Sequence, residues 1–177
     1  MSKVRFATAW LDGCSGCHMS FLDIDERLLD LAPLIDLVYS PLVDTKDYPE
    51  NVDVVLVEGA VSSEEDLEKI RHIRSRTKIV VALGDCAVTS NVPSMRNRFP
   101  VSEVTARAYI ENADYNQSVP CKVIPPLLPK SRPVHECIHV DVFVPGCPPS
   151  ADTIFFALSE LLAGRMPDLS GKTHFGA

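Results

Sequence analysis

Long hydrophobic runs are missing from this sequence. None of its apolar stretches approaches the roughly 20 residues that a bilayer-spanning helix needs, so a transmembrane segment is excluded. A surplus of positive charge is missing too: 17 Lys and Arg stand against 24 Asp and Glu, a formal net charge of -7. Such a balance argues against sequence-independent nucleic-acid binding, which needs a basic face. Internal repeats and low-complexity tracts are absent, which argues against a repeat architecture. Met1 to Phe6 lead straight into a strand-like segment, without a basic leader, an apolar signal core or a twin-arginine pair. The expected setting is cytoplasmic. There, six cysteines are not expected to form three disulfides, and metal or redox duty becomes the leading explanation.

What is present is ordinary for a globular protein, with 46% hydrophobic and 23% charged residues. A chain of 177 residues suffices for one full core and is short for two, so residues 1–177 are read as a single domain. Lys3–Trp10 reads as a first strand, and Met19, Leu22, Ile24, Leu28, Leu29 and Leu31 follow a helical period up to Pro33. Leu34–Ser40 reads as a short strand. Val52–Val57 and Lys78–Leu83 are nearly continuous apolar runs, as expected for strands covered on both faces. Between them, Ser62 and Glu65 suggest a capping box that opens a helix through Leu67, Ile70 and Ile73. Ile138–Val144 reads as the last strand, followed by a helix from Pro149 or Ser150 to Gly164. Strands alternating with helices predict a flavodoxin-like, doubly wound parallel sheet of order 2-1-3-4-5. Prolines crowd an irregular excursion at about residues 88–135, in which Ser102–Asn112 reads as a short helix.

In an open parallel sheet, ligands bind beyond the carboxyl ends of the strands. Cys14 and Cys17 follow the first strand, Glu58 ends the third, Cys86 follows the fourth and Cys147 follows the fifth. The predicted topology therefore brings four cysteines to one edge from three loops. A Cys-x-x-Cys pair alone is compatible with half a zinc site, a redox dithiol or two ligands of an iron–sulfur cluster. One pair plus two singletons, each following a strand-terminating glycine, suits a larger cluster better than structural zinc. Zinc stays open as the rival.

Cys14-Ser15-Gly16-Cys17, Val57-Glu58-Gly59-Ala60-Val61, Gly84-Asp85-Cys86-Ala87 and Pro145-Gly146-Cys147-Pro148-Pro149 occur in this order. Together they resemble the N-terminal domain of nickel–iron hydrogenase small subunits, a superfamily shared with the 20 kDa subunit of complex I. The resemblance implies one [4Fe-4S] cluster on Cys14, Cys17, Cys86 and Cys147, proximal to a NiFe centre on a separate large subunit. Membrane-bound uptake members add a leader and a second cysteine-rich domain, and the complex I subunit has adjacent tandem cysteines at the first position. The short form with a spaced pair is similar to the cytoplasmic NAD-reducing (bidirectional) branch. That branch implies diaphorase subunits with NAD, FMN and further iron–sulfur clusters as partners. The alternatives are a sulfhydrogenase-like or ferredoxin-linked hydrogenase, and a non-redox zinc-binding module. No sequence feature assigns a flavin to this chain.

Other residues admit two readings. Glu58, at the cluster edge, is a candidate proton carrier or an interface hydrogen-bonding group. His18 is a candidate donor to a cluster sulfur, or a partner-facing or solvated residue. Asp85 is expected to cap a turn. His135, Cys137 and His139 form His-x-Cys-x-His, which resembles a metal motif but is expected to be strand alternation. Cys121 is left over.

Overall fold

The valine-rich segments with no helical period become the centre of the molecule. The computed structural model describes residues 3–173. Its strands are β1 (Val4–Trp10), β2 (Ile35–Tyr39), β3 (Val52–Glu58), β4 (Val61–Ser63), β5 (Thr77–Leu83), β6 (Leu127–Arg132) and β7 (Val142–Val144). Five of them form one sheet in the order β2-β1-β3-β5-β7, all parallel, which is the predicted 2-1-3-4-5 arrangement. The other two, β4 and β6, pair antiparallel in a separate two-stranded sheet.

Because side chains alternate across a strand, β3 feeds two cores at once. Val55 and Val57 face a cluster with Ala7, Ala9, Val80 and Ala82, covered by Ile70 and Ile73 of the helix α3 (Glu64–Ser75). Val54 and Leu56 face the opposite cluster with Phe6, Val81, Leu83, Val142 and Val144. That side is covered by Ile24, by Leu31 of α2 (Leu28–Leu31), and by Ile154, Leu158 and Leu161 of α6 (Ala151–Leu162). Each buried Leu or Ile stabilises the fold by about 1.5–3 kcal/mol, so both layers are held chiefly by apolar burial. Among the described residues, no helix is long and apolar enough to cross a membrane.

Several expectations are corrected. The helix read over Met19–Leu31 is broken into α1 (Gly16–Leu22), a 3-10 turn at Asp25–Arg27, and α2. Asp25 adopts φ 57°, which ends the right-handed path, and Met19 and Leu29 of the periodic set are exposed. The capping box lies one residue later than read. Ser63 accepts from the Asp66 amide and Asp66 reaches back to the Ser63 amide, while Ser62 belongs to β4 and its hydroxyl bonds Ser131. The last strand is only Val142–Val144. Just upstream, the Asp141 amide donates to the Val80 carbonyl at 2.9 Å and its carboxylate accepts from the Val80 amide at 2.7 Å, so a side chain supplies one half of the pairing. The excursion is more ordered than its prolines suggest. It holds a 3-10 stretch (Val92–Arg98), α5 (Val101–Ala106), a π-helical turn (Arg107–Glu111) and β6. The short helix α4 (Gly84–Thr89), just before it, carries Cys86 and went unanticipated.

Candidate metal centre

Three chain segments leave the carboxyl edge of the sheet and meet there. The β1–α1 loop brings Cys14, the first turn of α1 brings Cys17, α4 brings Cys86, and the loop after β7 brings Cys147. All four cysteines line one cavity of about 80 Å³, shared with Gly16, Glu58, Gly59, Asp85, Gly146 and Pro148. Cys17 is buried, Cys86 half-buried, and Cys14 and Cys147 exposed, so the cavity is closed toward the sheet and open outward. Among the described residues, no three His, Cys, Asp or Glu side chains are grouped as a site for a single metal ion. The four cysteines line the wall of one small cavity.

The loops are fastened to one another. Asp85 Oδ1 accepts from the Gly146 amide at 2.7 Å, and the Asp85 amide donates to the Gly146 carbonyl at 2.9 Å, locking the Cys86 segment to the Cys147 segment. Asp85 therefore bridges the Cys86 helix and the Cys147 loop. Ser20 Oγ on α1 donates to the Pro149 carbonyl at 2.5 Å and ties the first pair to the third loop. Gly84 sits at φ 80°, and a Cβ there would be driven into the Cys17 sulfur. Only glycine lets the fourth strand turn so close to a thiol.

Glu58 is 3% exposed, and its Oε2 accepts from the His18 amide at 2.8 Å and pairs with His18 Nδ1 at 2.6 Å. His18 is 2% exposed, neither solvated nor partner-facing in this chain, and its ring is committed to Glu58. Its Nε2 is buried without a hydrogen-bond partner among the described residues, as is Trp10 Nε1, and the two rings meet edge to face at 5.2 Å. The carboxylate thus anchors the start of α1 beside Cys17.

Electrostatics explains what the cavity needs. Burial pushes the Cys17 thiol well up, with Glu58, Cys86, Cys14 and Cys147 adding repulsion. Burial pushes Cys86 to about 11, although the Val92 amide hydrogen-bonds its sulfur and works the other way. Four thiolates gathered here repel one another unless a cationic core lies between them. Cys121 is exposed and lines no part of this cavity. Cys137 is half-buried against the Ile70 core, with its thiol raised by burial; His135 packs edge to face on Phe143, and His139 is exposed beside Asp141. Those three residues do not alternate along a strand as expected, because His135 lies in the 3-10 turn Val134–Glu136 and the last strand begins only at Val142. Asn91, whose Nδ2 lies 3.6 Å from Cys147 Sγ, was not singled out from sequence. It sits in the aperiodic segment, where no spacing signal reaches it.

Residues 14–161 match the family described as NADH ubiquinone oxidoreductase, 20 Kd subunit. The chain is 43% identical, over 94% of its length and 82% of the relative's, to the NAD-reducing hydrogenase HoxS subunit delta of Cupriavidus necator. It is 32% identical to the sulfhydrogenase 2 subunit delta of Pyrococcus furiosus, over 89% of this chain and 61% of that longer protein. A crystal structure of an NAD+-reducing NiFe hydrogenase in the H2-reduced state superposes with a TM-score of 0.93 at 39% identity, covering 98% of this chain and 99% of that one. The NiFeSe hydrogenase of Dm. baculatum, at 19% identity and a TM-score of 0.62, shares the fold over 92% of this chain and 63% of that one. With a family match spanning both ends of the cysteine set and a full-length likeness to a hydrogenase delta subunit, the chain belongs to the NADH ubiquinone oxidoreductase 20 Kd subunit family, in its branch of NAD-reducing hydrogenase small subunits.

Proposed function

We propose that this chain is the electron-transfer small subunit of a heteromeric NAD-reducing nickel–iron hydrogenase, with residues 1–177 acting as one cluster-binding unit. Cys14, Cys17, Cys86 and Cys147 hold a single [4Fe-4S] cluster. The observation that carries this reading is that these four thiols, and neither of the other two, line one cavity at the carboxyl edge of the sheet. The donor set fits the group: thiolate is the ligand for iron–sulfur centres, and a cationic core among the four sulfurs would offset the burial that raises Cys17 and Cys86. A bound cluster supplies one-electron chemistry between a NiFe centre on a large subunit and diaphorase subunits carrying NAD and FMN. A cytoplasmic setting belongs to the same reading, and all six cysteines are unbridged.

The chain's own residues do the remaining work. Asp85 and Ser20 fix the three cysteine loops relative to each other. The open side, where Cys14 and Cys147 are exposed, is where a partner covers the site. Glu58 is proposed as a proton-transfer group, with Oε2 as the atom that accepts and releases the proton. His18 is its one contact through a ring nitrogen.

Serine at Cys14, Cys17, Cys86 or Cys147 tests the ligand set in the co-purified complex. Each replacement is expected to lose or convert the cluster, read as iron content and as visible absorption that bleaches on reduction. Serine at Cys121 or Cys137 is expected to leave both unchanged. An intact four-iron cluster in Cys147→Ser refutes the assignment. Zinc with no bleachable absorption in the wild type would favour the interaction-module alternative instead.

A further inference from the structure

The turn that follows α4 brings a side-chain donor to one of the cysteine sulfurs. Ser90 ends the helix in the left-handed conformation at φ 65°, and its amide donates to the Cys86 carbonyl at 3.0 Å. The chain then reverses over the site. Asn91 Nδ2 lies 3.6 Å from Cys147 Sγ, a length suited to an N–H donor on sulfur. A turn leaving the Cys86 helix therefore supplies a donor to the sulfur brought in by the loop after β7.

The turn is also held rigidly. Ser90 Oγ and Ser131 Oγ are 2.9 Å apart, both buried, and Ser62 Oγ donates to Ser131 at 2.8 Å. Asn97 makes a reciprocal pair with the Ser131 backbone, at 2.8 Å in each direction. Ser94 Oγ donates to the Asn91 carbonyl at 2.7 Å. This network pins the segment after Cys86 to β4 and β6, which gives the two-stranded sheet a purpose at the site. A buried, fully connected polar network rigidifies what it holds.

We propose that the turn after α4 is a donor clasp on the Cys147 sulfur, and that Asn91 is the positioning residue through which it raises the reduction potential of the centre the four cysteines hold. The inference rests on the cluster assignment made above. Its physical basis is charge. Reduction adds negative charge that spreads onto the sulfurs, and an N–H aimed at a sulfur stabilises the reduced form more than the oxidised one. Removing the donor therefore favours the oxidised form. A carboxylate in its place adds repulsion.

The experiment uses the full chain reconstituted anaerobically with iron and sulfide, and the complex purified with its native partners. Wild type, Asn91→Ala and Asn91→Asp are compared for iron content, visible spectrum and potential, read by stepwise reduction. With four irons retained, Asn91→Ala is expected to shift the reduction equilibrium at least tenfold toward the oxidised form, which is about 59 mV for one electron. Asn91→Asp is expected to shift it further in the same direction. Two variants with full iron and wild-type potentials overturn the proposal. Loss of iron from both variants also overturns it, since Asn91 is then needed to retain the centre and tuning has no support. Wild-type chain with no iron–sulfur signal in either preparation overturns the cluster assignment itself, a separate and distinguishable failure.

Discussion

Glu58 concentrates the chemistry of this edge into one side chain. Its Oε2 serves both the backbone and the ring of His18, and it lines the same cavity as the four cysteines. Two roles, holding α1 and handling a proton, therefore rest on one carboxylate, and glutamine separates them. Its amide oxygen can still accept from the His18 amide, but it cannot cycle a proton. Glu58→Gln is expected to leave assembly and the cluster spectrum intact while slowing hydrogen turnover and deuterium–proton exchange by about 10²-fold or more, the usual contribution of a positioned acid–base group. Wild-type rates in an intact complex would confine Glu58 to holding the loop. The residue was legible in sequence as a charged group closing an apolar strand. Its partner was not, because residues 40 positions apart show no spacing signal for a contact.

Secondary-structure elements here are joined by charged side chains where the backbone ladder stops short. Asp141 stands just before β7 and accepts from the Val80 amide of β5 and from Arg74 of α3. Burial raises its carboxyl, but the Val80 and Arg74 hydrogen bonds and the Arg74 charge outweigh this and hold it below the usual carboxylate range. A carboxyl with a depressed folded value contributes stability that is complete above its unfolded value of about 3.9 and is lost as pH falls through the folded value. Asp141→Asn is expected to cost about 1–3 kcal/mol at neutral pH, from hydrogen bonds to a charged group. The difference from wild type should hold steady down to about pH 5 and shrink below about pH 4. Denaturant melts of both chains across that range measure it, and a difference that grows on acidification contradicts the account.

Seen as one body, the molecule leaves apolar side chains exposed in the segment that follows the Cys86 helix. Val92, Met95 and Phe99 of the 3-10 stretch and its cap are more than half exposed, and Met95 and Phe99 line an open groove of about 780 Å³ with Arg96 and Arg107. An apolar patch open to solvent suits a chain that works under a partner subunit. Expressed alone, the chain is expected to self-associate and to bind an apolar dye. Co-expression with a hydrogenase large subunit should suppress both and raise the Tm. Reconstituted alone, it should show no hydrogen uptake. A monodisperse, dye-free monomer, or nickel-dependent activity from this chain alone, contradicts the division of labour.

Wherever local pattern and global burial coincide, the amino-acid sequence alone determined the outcome. The runs Val52–Val57 and Lys78–Leu83 could only be strands covered on both sides, and alternation with helices then set parallel order and brought Cys14, Cys17, Cys86 and Cys147 to one edge. The helix break at Asp25, the one-residue displacement of the cap to Ser63 and the pairing of β4 with β6 were decided by tertiary structure. In each, a long-range contact overrode a local preference: Ile24 and Leu31 both turn into the core across the break, and Ser62 gives up capping to join Ser131. The same holds for the Asp85–Gly146 lock and the Asn91 contact with Cys147, which link residues 61 and 56 positions apart. Periodicity reports which face of an element is apolar. It carries no information about which polar group, far along the chain, will arrive to satisfy another.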